Sequence, residues 1–507
     1  MRGREAGEVL QEWKPERDCR MKLLRRVGVV LTMVFILFPI FVGVSDFDRI
    51  QEFLNASRES TPVRPLPPVP QRVVEQVVNT VSEADVRRHM ARFTQNGSRV
   101  CGYPGHEAAA RFIRNEFERI GLQNVALEPF DVTSPVDKGC RLTLMGSGAS
   151  FPIYAVWPNL VKTSTLPRSG VRTRLIYGGD GEFRDFEGHD IENAAVLMEF
   201  NSGNNWLKAA MLGSSQVIFI EPDSTFTMQA EQKFLQVPNG VERFWIDRES
   251  GRVLERMLAV EGELEIELRA RMDWEKQTAY NILGSVPGTD PGLKDQIVVI
   301  NAYYDAMSVV PALAPGAEMA CGIVALMELV DYFKRYPPGR TVLFLASSAH
   351  HLGFRGICDF LRRHARKEEH FAALMTDPID VRLFVGLDLT SQTDEIGIWH
   401  SSRSLLHNRF FSPLGKKFVR IFEMFAGTFG PDSAGTMVNG ITPVKGMAWD
   451  MYIPGKNLKT DGEVVFESGL PAVSLVTVND ARFRVDTPLD LPEHVRGSDK
   501  ILIAENA

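Results

Sequence analysis

The pattern that decides the fold lies at residues 296–348, where a strand, a helix and a second strand follow one another. The three segments read QIVVINA at Gln296–Ala302, ACGIVALMELVDYFKRY at Ala320–Tyr336 and TVLFLASS at Thr341–Ser348. Both strands are continuous apolar runs, which is typical of parallel strands that are buried on both faces of a sheet. The pattern therefore predicts an α/β fold with a mainly parallel mixed sheet flanked by helices.

Further segments extend this pattern in both directions along the chain. RLFVGLDL at Arg382–Leu389 and AVSLVTV at Ala472–Val478 add two apolar strands on the C-terminal side. On the N-terminal side, Gly105–Leu122 carries apolar residues at helical spacing and includes a glycine near its end. This arrangement predicts an amphipathic helix that is closed by a glycine cap.

Between the first helix and this α/β pattern, the sequence predicts a smaller, β-rich inserted domain. Its short apolar strands are Thr173–Gly179, Ala194–Phe200 and Ser215–Glu221, and the helix-like stretch WLKAAMLGS at 206–214 separates the last two. We accordingly divide the chain into a basic tail at 1–26, an apolar span at 27–44, a proline-rich linker at 45–75, the first part of the α/β domain at 76–150, the insertion at 151–275 and the main part of the α/β domain at 276–507.

The composition excludes several classes of protein. The chain has 507 residues, of which 44% are hydrophobic and 24% are charged, so it can bury several cores. Five cysteines in this length are too few for a disulfide scaffold. A net charge of −7 argues against a general nucleic-acid binder, which would present a basic surface. We therefore expect no nucleic-acid partner.

The stretch Val27–Val44 contains eighteen residues without a charge, which is long enough to cross a bilayer as one helix. A cleaved signal peptide is the alternative, but the charged leader is long and no small-residue cleavage site follows. Basic residues precede the span and acidic residues follow it, which places the N-terminus in the cytosol and the bulk of the chain outside it. We predict a single-pass membrane protein, in which the four cysteines after the span allow three disulfide pairings but require none.

Polar and titratable residues follow the predicted strands, where α/β sheets form their sites. Carboxylates and imidazoles gathered from separate strand ends are what a metal hydrolase requires. The candidate residues are Tyr303, Asp305, Glu318, His350, His351, Asp388, Asp461 and Asp486.

These segments resemble the M28 family of zinc aminopeptidases and carboxypeptidases. The family pattern His-Tyr-Asp-Ser reads Tyr303–Ala306, and its Glu-Glu-x-Gly pattern reads His350–Gly353. The Leu-Asp-Met strand end reads Leu387–Leu389, and the closing His-Thr-Pro-x-Asp reads Asp486–Asp490. The insertion is similar to the protease-associated domain that interrupts several members of this family.

The resemblance also implies a set of metal ligands. The first metal would contact Tyr303, Glu318 and Asp388, and the second would contact Glu318, His351 and Asp486. The first set has lost its imidazole, and a neutral tyrosine is a poor zinc ligand. His350 takes the place of the family's general base, and Asp461 matches the family's serine-aspartate segment.

Three interpretations of the function are compatible with this resemblance. We favour a non-catalytic binding protein with a degenerate zinc site, for which transferrin-receptor-like proteins of the same architecture are a precedent. The alternative is a hydrolase that uses one zinc at Glu318, His351 and Asp486, with His350 as the base. A subunit that positions substrates for another membrane enzyme is a third interpretation. The expected partners are the membrane, a protein or peptide ligand, and a second copy of the chain.

Overall fold

The computed structural model describes residues 70–234, 236–365, 378–399, 417–424, 436–438, 460–480 and 482–495. The predicted tail, the predicted span Val27–Val44 and most of the predicted linker lie outside these residues. Within the described ranges, no helix is both long and apolar enough to cross a membrane. The anchor at Val27–Val44 therefore stays a prediction.

The helices lie mostly on the two sides of the sheet, and residues 417–424 are also helical. The α-helices are α1 (Gln71–Val78), α2 (Glu83–Thr94), α3 (Pro104–Ile120), α4 (Trp206–Met211), α5 (Thr227–Phe234), α6 (Arg248–Glu261), α7 (Cys321–Arg335), α8 (Arg355–Phe360) and α9 (Asp461–Glu467). Short 3-10 helices occur at Phe183–Phe186, Glu318–Ala320 and Pro492–His494, and a π-helical turn occurs at Leu361–Ala365.

The strands form one continuous mixed sheet. They are β1 (Gln123–Leu144), β2 (Ser150–Ala155), β3 (Val171–Tyr177), β4 (Ala195–Glu199), β5 (Gln216–Ile220), β6 (Glu242–Ile246), β7 (Leu264–Val286), β8 (Ile297–Tyr303), β9 (Thr341–Ser347), β10 (Val381–Asp388), β11 (Glu395–Trp399), β12 (Thr436–Val438) and β13 (Ala472–Thr477). Their order in the described sheet is β1-β2-β6-β5-β4-β3-β7-β9-β8-β10-β13-β11-β12.

Strands β1 and β7 are long and join the two halves of the sheet. They have 22 and 23 residues and pair antiparallel along most of their length. On one side of β7 lies the α/β core, in which β9, β8, β10 and β13 run parallel. On the other side lies the insertion, whose strands β3, β4, β5 and β6 are also parallel. Because β1 also pairs with β7, the strands of the insertion form a closed circuit.

The α/β architecture predicted from the sequence is confirmed. The apolar runs at 296–302, 341–348, 382–389 and 472–478 correspond to β8, β9, β10 and β13. Helix α3 ends at Gly121, which adopts the left-handed conformation expected of a glycine cap.

The structure differs from the expected organisation in three respects. The insertion is not only β-rich, because helices α4, α5 and α6 connect or follow its parallel strands. Parallel strands need crossover connections, and helices commonly supply them. Helix α1 begins at Gln71, inside the segment predicted as linker, because the proline run stops at Pro70 and helix-compatible residues follow. In addition, the proposed boundary at residues 275 and 276 falls inside β7, which continues without a break.

The core and the insertion each contain a large apolar cluster, and the cluster of the insertion also contacts the core. One lies between α2, α3, α7 and the core strands, and includes Phe93, Phe117 and Phe344. Another lies in the insertion around Trp206 and Trp245, and it reaches Val309 and Val310 of the core. The insertion is thus packed against the loop that follows β8. The four cysteines in the described ranges form no disulfide.

Candidate functional site

The parallel core strands bring their carboxyl ends to one edge of the sheet. Tyr303 at the end of β8 pairs in register with Ser347 of β9, and β10, which ends at Asp388, pairs with β8 on its other side. Because parallel neighbours end at the same edge, the residues that follow each strand meet there. The structure therefore gathers Tyr303, Asp388 and the loop containing His350 in one place.

Tyr303 is buried at the centre of this cluster. Its hydroxyl donates a hydrogen bond to Oδ1 of Asp388 at 3.4 Å, and its ring stacks on the His350 ring with centroids 4.1 Å apart. Burial raises the pKa of Tyr303 well above its ordinary value, and the charge of Asp388 raises it further. The phenol therefore stays neutral and acts as a hydrogen-bond donor.

Asp388 forms a buried ion pair that the sequence analysis missed. Nη1 of Arg482 donates to Oδ1 of Asp388 at 2.8 Å, and Nη2 donates to the Asp388 carbonyl oxygen at 3.1 Å. Burial alone would lower the pKa of Arg482, but the Asp388 carboxylate outweighs it and the pKa is raised. Asp480 holds this arginine in place by accepting a hydrogen bond from its backbone N–H at 2.6 Å. The predicted first-metal ligand Asp388 is thus neutralised by a permanent side-chain cation.

His350 forms a second buried ion pair. Its Nδ1 lies 2.7 Å from Oδ1 of Asp461, whose other oxygen accepts hydrogen bonds from Asn301 at 2.7 Å and Ser347 at 2.8 Å. Burial opposes both charges, yet the net pKa of His350 is raised and that of Asp461 is lowered, because each stabilises the other. The arrangement favours an imidazolium rather than the neutral imidazole that a general base requires.

Asp305 also belongs to this cluster. Its Oδ1 accepts a hydrogen bond from the backbone N–H of His350 at 3.2 Å, and burial raises its pKa to about 6. The carboxylate therefore orients the loop that carries His350 and His351.

Glu318 lies in the 3-10 turn that precedes α7 and is held by a different loop. Its two carboxylate oxygens accept hydrogen bonds from the Ser391 N–H at 2.7 Å, the Ser391 hydroxyl at 2.8 Å and the Gln392 side-chain amide. Burial raises the pKa of Glu318, and these hydrogen bonds oppose the shift. Its backbone N–H donates to Asp490 at 2.8 Å, and burial and the nearby Glu318 raise the pKa of Asp490 to about 8.

The other two predicted second-metal ligands are His351 and Asp486. The His351 ring lies edge-on to Tyr303 and to His350, with centroids 5.5 and 4.8 Å apart. Asp486 is buried with a φ of 68°, and its carbonyl oxygen accepts a hydrogen bond from the Val309 N–H at 2.8 Å. Across the part of the chain that the structure describes, no three His, Cys, Asp or Glu side chains form a group that could hold a metal ion.

The chemistry of the donors at the first metal position is also unsuited to zinc. Zinc takes deprotonated thiols, neutral imidazoles and carboxylates, whereas the first-metal set offers a neutral phenol and a carboxylate already bound to Arg482. A metal at that position would also meet the positive charge of the guanidinium. The residues present do not fit the first zinc ion. At the second position, Glu318 already accepts hydrogen bonds from Ser391 and Gln392, so it would have to share its carboxylate oxygens between these donors and a metal.

The interior next to the two ion pairs is almost filled. A cavity of about 10 Å³ lies among Asn301, Tyr303, His350, Asp388 and Asp461. A space of this size holds about one water molecule. The side chains of the two ion pairs therefore leave little free space between them.

Comparison with known proteins gives a match to one family profile and likeness in fold to several solved structures. The sequence profile described as Peptidase family M28 matches residues 281–444. The chain is similar to a zinc aminopeptidase from Bacillus subtilis, with 17% identity, a TM-score of 0.50, and coverage of 83% of this chain and 93% of the other. It is also similar to a peptidase M28 precursor from Shewanella amazonensis, with 15% identity, a TM-score of 0.53, and coverage of 86% and 93%. No curated protein matches the sequence significantly.

Proposed function

We propose that this chain, whose residues 281–444 match peptidase family M28, is a membrane-anchored binding protein that has given up zinc-dependent hydrolysis. The predicted span Val27–Val44 would be its anchor, and the α/β domain with its insertion would face away from the cytosol. Its ligand would be a protein or a peptide, and the chain would act as a monomer or as a homodimer. The insertion would serve as a protease-associated-like domain.

The ion pair between Arg482 and Asp388 carries this proposal. A carboxylate at a zinc position keeps its negative charge because a cation lies beside it. Here that cation is a guanidinium at 2.8 Å, bound to the chain itself. Removing one partner of a buried pair costs about 3–5 kcal/mol, so a metal that displaced Arg482 would have to offset a loss of this order.

The His350–Asp461 pair supports the same conclusion by a separate route. Hydrolysis needs a group that accepts a proton from the attacking water. His350 replaces the family's glutamate at that position, and Asp461 holds its ring nitrogen at 2.7 Å and favours its protonated form. Tyr303 covers one face of the ring at a centroid distance of 4.1 Å. These contacts give His350 the role of a structural cation.

The metal content of the purified full-length chain tests the proposal. We expect no stoichiometric zinc after the protein, in detergent, is supplied with excess zinc and dialysed, and no hydrolysis of amino-acid amides by the same sample. The matched comparison is a His351→Ala plus Asp486→Ala variant, which should give the same zinc content as the native chain. About one zinc per chain that disappears in this variant would overturn the proposal and make the single-zinc hydrolase the better interpretation.

A further inference from the structure

A tight turn on the insertion carries large apolar side chains into solvent. Asn159 and Lys162 pair as an isolated β-bridge, so Leu160 and Val161 alone form the end of the turn. Leu160 is 45% exposed and Val161 is 82% exposed. Two-residue turns normally use glycine, asparagine or aspartate. Polar side chains at such an exposed position remain hydrated, whereas aliphatic ones expose apolar surface to water. Two aliphatic residues at this position require an explanation.

The backbone of the turn is strained at Leu160. Leu160 has a φ of 57°, in the left-handed region that glycine enters freely and branched residues avoid. Strain of this kind is often retained where a side chain has a function. A leucine in this conformation carries a strain that a glycine would not.

The turn is held rigidly from both sides. The Asn159 side chain donates to the Val237 carbonyl oxygen at 2.7 Å and accepts from the Val237 N–H at 3.0 Å. The indole N–H of Trp274 donates to the Val161 carbonyl oxygen at 2.9 Å, and Trp274 is itself 38% exposed. Leu160, Val161 and Trp274, which we call the apolar tip, are therefore presented in a fixed arrangement.

Charged residues of both signs flank the apolar tip, and two of them are lysines. Lys162 is adjacent to Val161 in sequence and pairs with Glu242 at 3.0 Å, with its side chain partly exposed. Lys276 is two residues from Trp274 along β7, so both side chains leave the same face of the strand. Lys276 is highly exposed and pairs with Asp131 at 2.6 Å. Tryptophan and lysine are the residues that favour the boundary between water and lipid.

The size and shape of the tip indicate what covers it. A stable protein interface buries about 800 Å² on each partner, which three partly exposed side chains on a narrow turn cannot supply. The tip is convex, so it offers no groove for a peptide. A fluid bilayer accepts a small convex apolar group, and weak insertion of this kind becomes effective when a second attachment tethers the protein.

We propose that the apolar tip inserts into the headgroup region of the bilayer in which the chain is anchored. The proposal rests on the membrane attachment proposed above, because that anchor supplies the tether. In this arrangement Leu160 and Val161 enter the lipid, Trp274 lies at the boundary, and the two ion-paired lysines lie at the level of the headgroups. The contact would fix the orientation of the insertion relative to the membrane surface.

Lipid quenching of a fluorescent label tests this contact. The experiment uses the full-length chain with Cys19→Ser and Cys358→Ser, so that an introduced cysteine takes the label. Val161→Cys is added to this chain and labelled with an environment-sensitive fluorophore. The matched control is Val260→Cys on α6, because Val260 is 87% exposed, much like Val161. Both proteins are reconstituted into vesicles of phosphatidylcholine and phosphatidylglycerol, with and without lipids brominated along the acyl chain, and vesicle flotation is measured on the same samples.

We expect the label at 161 to be quenched by brominated lipid at least about two-fold more than the label at 260, as for a group at the headgroup boundary. If the chain floats and the labels at both positions are quenched equally, the proposed insertion of the tip is wrong, but the proposed membrane anchor still stands. A chain that does not float would overturn both proposals. The label at 161 could instead be shielded from water without being quenched by lipid, and the shielding could increase with protein concentration. This result would identify a second copy of the chain as the group that covers the tip, and it would overturn the proposal.

Discussion

The site at the sheet edge and the interior of the insertion both bury cations, but they stabilise them differently. At the sheet edge, Arg482 donates to the Asp388 carboxylate at 2.8 Å, and its pKa is raised. In the insertion, Nζ of Lys233 donates to the carbonyl oxygens of Phe200 and Gly203 at 2.6 and 2.7 Å and lies over the Phe200 ring. Burial lowers the pKa of Lys233 to about 7.

The comparison shows that a full counter-charge keeps a buried cation protonated more effectively than dipoles and aromatic rings do. A carboxylate keeps a buried guanidinium charged at any ordinary pH, whereas carbonyl oxygens and ring faces hold an amine that can lose its proton. Arg243, which donates a hydrogen bond to the Lys233 carbonyl oxygen, follows the same rule. It also donates to the Trp157 carbonyl oxygen at 2.7 Å, and burial lowers its pKa to about 10.

The largest expected effect comes from breaking the pair at the sheet edge. Arg482→Ala leaves the Asp388 carboxylate buried and unpaired, so we expect the free energy of unfolding to fall by about 3–5 kcal/mol. Denaturant unfolding of the full chain measures this change. The control is Arg482→Ala combined with Asp388→Asn. This double variant removes the unpaired buried carboxylate, so it should recover a large part of the lost free energy of unfolding. A single variant as stable as the native chain would contradict the role given to this pair.

Lys233→Met should change how stability depends on pH. The unfolded lysine titrates near 10.5 and the folded one at about 7, so the folded state binds fewer protons between these values and stability rises with pH there. From pH 7 to pH 9 we expect the native chain to gain about 2 kcal/mol relative to the variant. Unfolding curves at the two pH values measure this difference. Parallel behaviour of native chain and variant would show that the buried amine keeps its ordinary pKa.

His350→Gln should give the opposite pH dependence at the sheet edge. The folded pKa of His350 lies above its unfolded value of 6.5, so its stabilising effect is complete below pH 6.5 and is lost as the pH rises through the folded value. We expect the variant to be less stable by about 1.5 kcal/mol at pH 5.5, with a smaller difference at alkaline pH. Unfolding curves at acidic and alkaline pH measure both values. A difference that grows with rising pH would refute the ion pair with Asp461.

Tyr303→Phe should have the smallest effect. The hydroxyl makes a hydrogen bond of 3.4 Å to Asp388, which already has Arg482 as its main partner. We expect a loss of about 0.5 kcal/mol in the free energy of unfolding, since the ring still stacks on His350. Thermal or chemical unfolding checks this value. A loss as large as that of Arg482→Ala would mean that the phenol, not the guanidinium, stabilises the carboxylate.

The sequence was sufficient to predict the core strands and the edge where the site lies, because long apolar runs have one stable arrangement in an α/β sheet. It also indicated that Tyr303 is unsuited to bind zinc. The partner of Asp388 was not predictable in the same way, because Arg482 is 94 residues away and only the register of β10 and β13 brings them together. A systematic search after every predicted strand would have included Arg482, since it follows β13 by five residues.

The helices of the insertion illustrate a different limit. Helix α4 has six residues and α5 has eight, so each carries fewer than three turns of periodic signal. Short helices of this length depend on tertiary packing rather than on local preference. Trp206 and Ala230 supply that packing from within the insertion. The sequence indicated the helix at 206–211 as a helix-like stretch, but it gave no such indication of α5.

The two long strands β1 and β7 have a consequence for any attempt to shorten the protein. Each continues from the core into the insertion, where β2 and β3 pair with their far halves. Deleting the residues between them would leave a long two-stranded ribbon with open edges on both sides. Such edges pair readily with other chains. A shortened protein that retained the full ribbon would therefore tend to aggregate, and trimming both strands at matched positions of their register would be needed to keep it soluble.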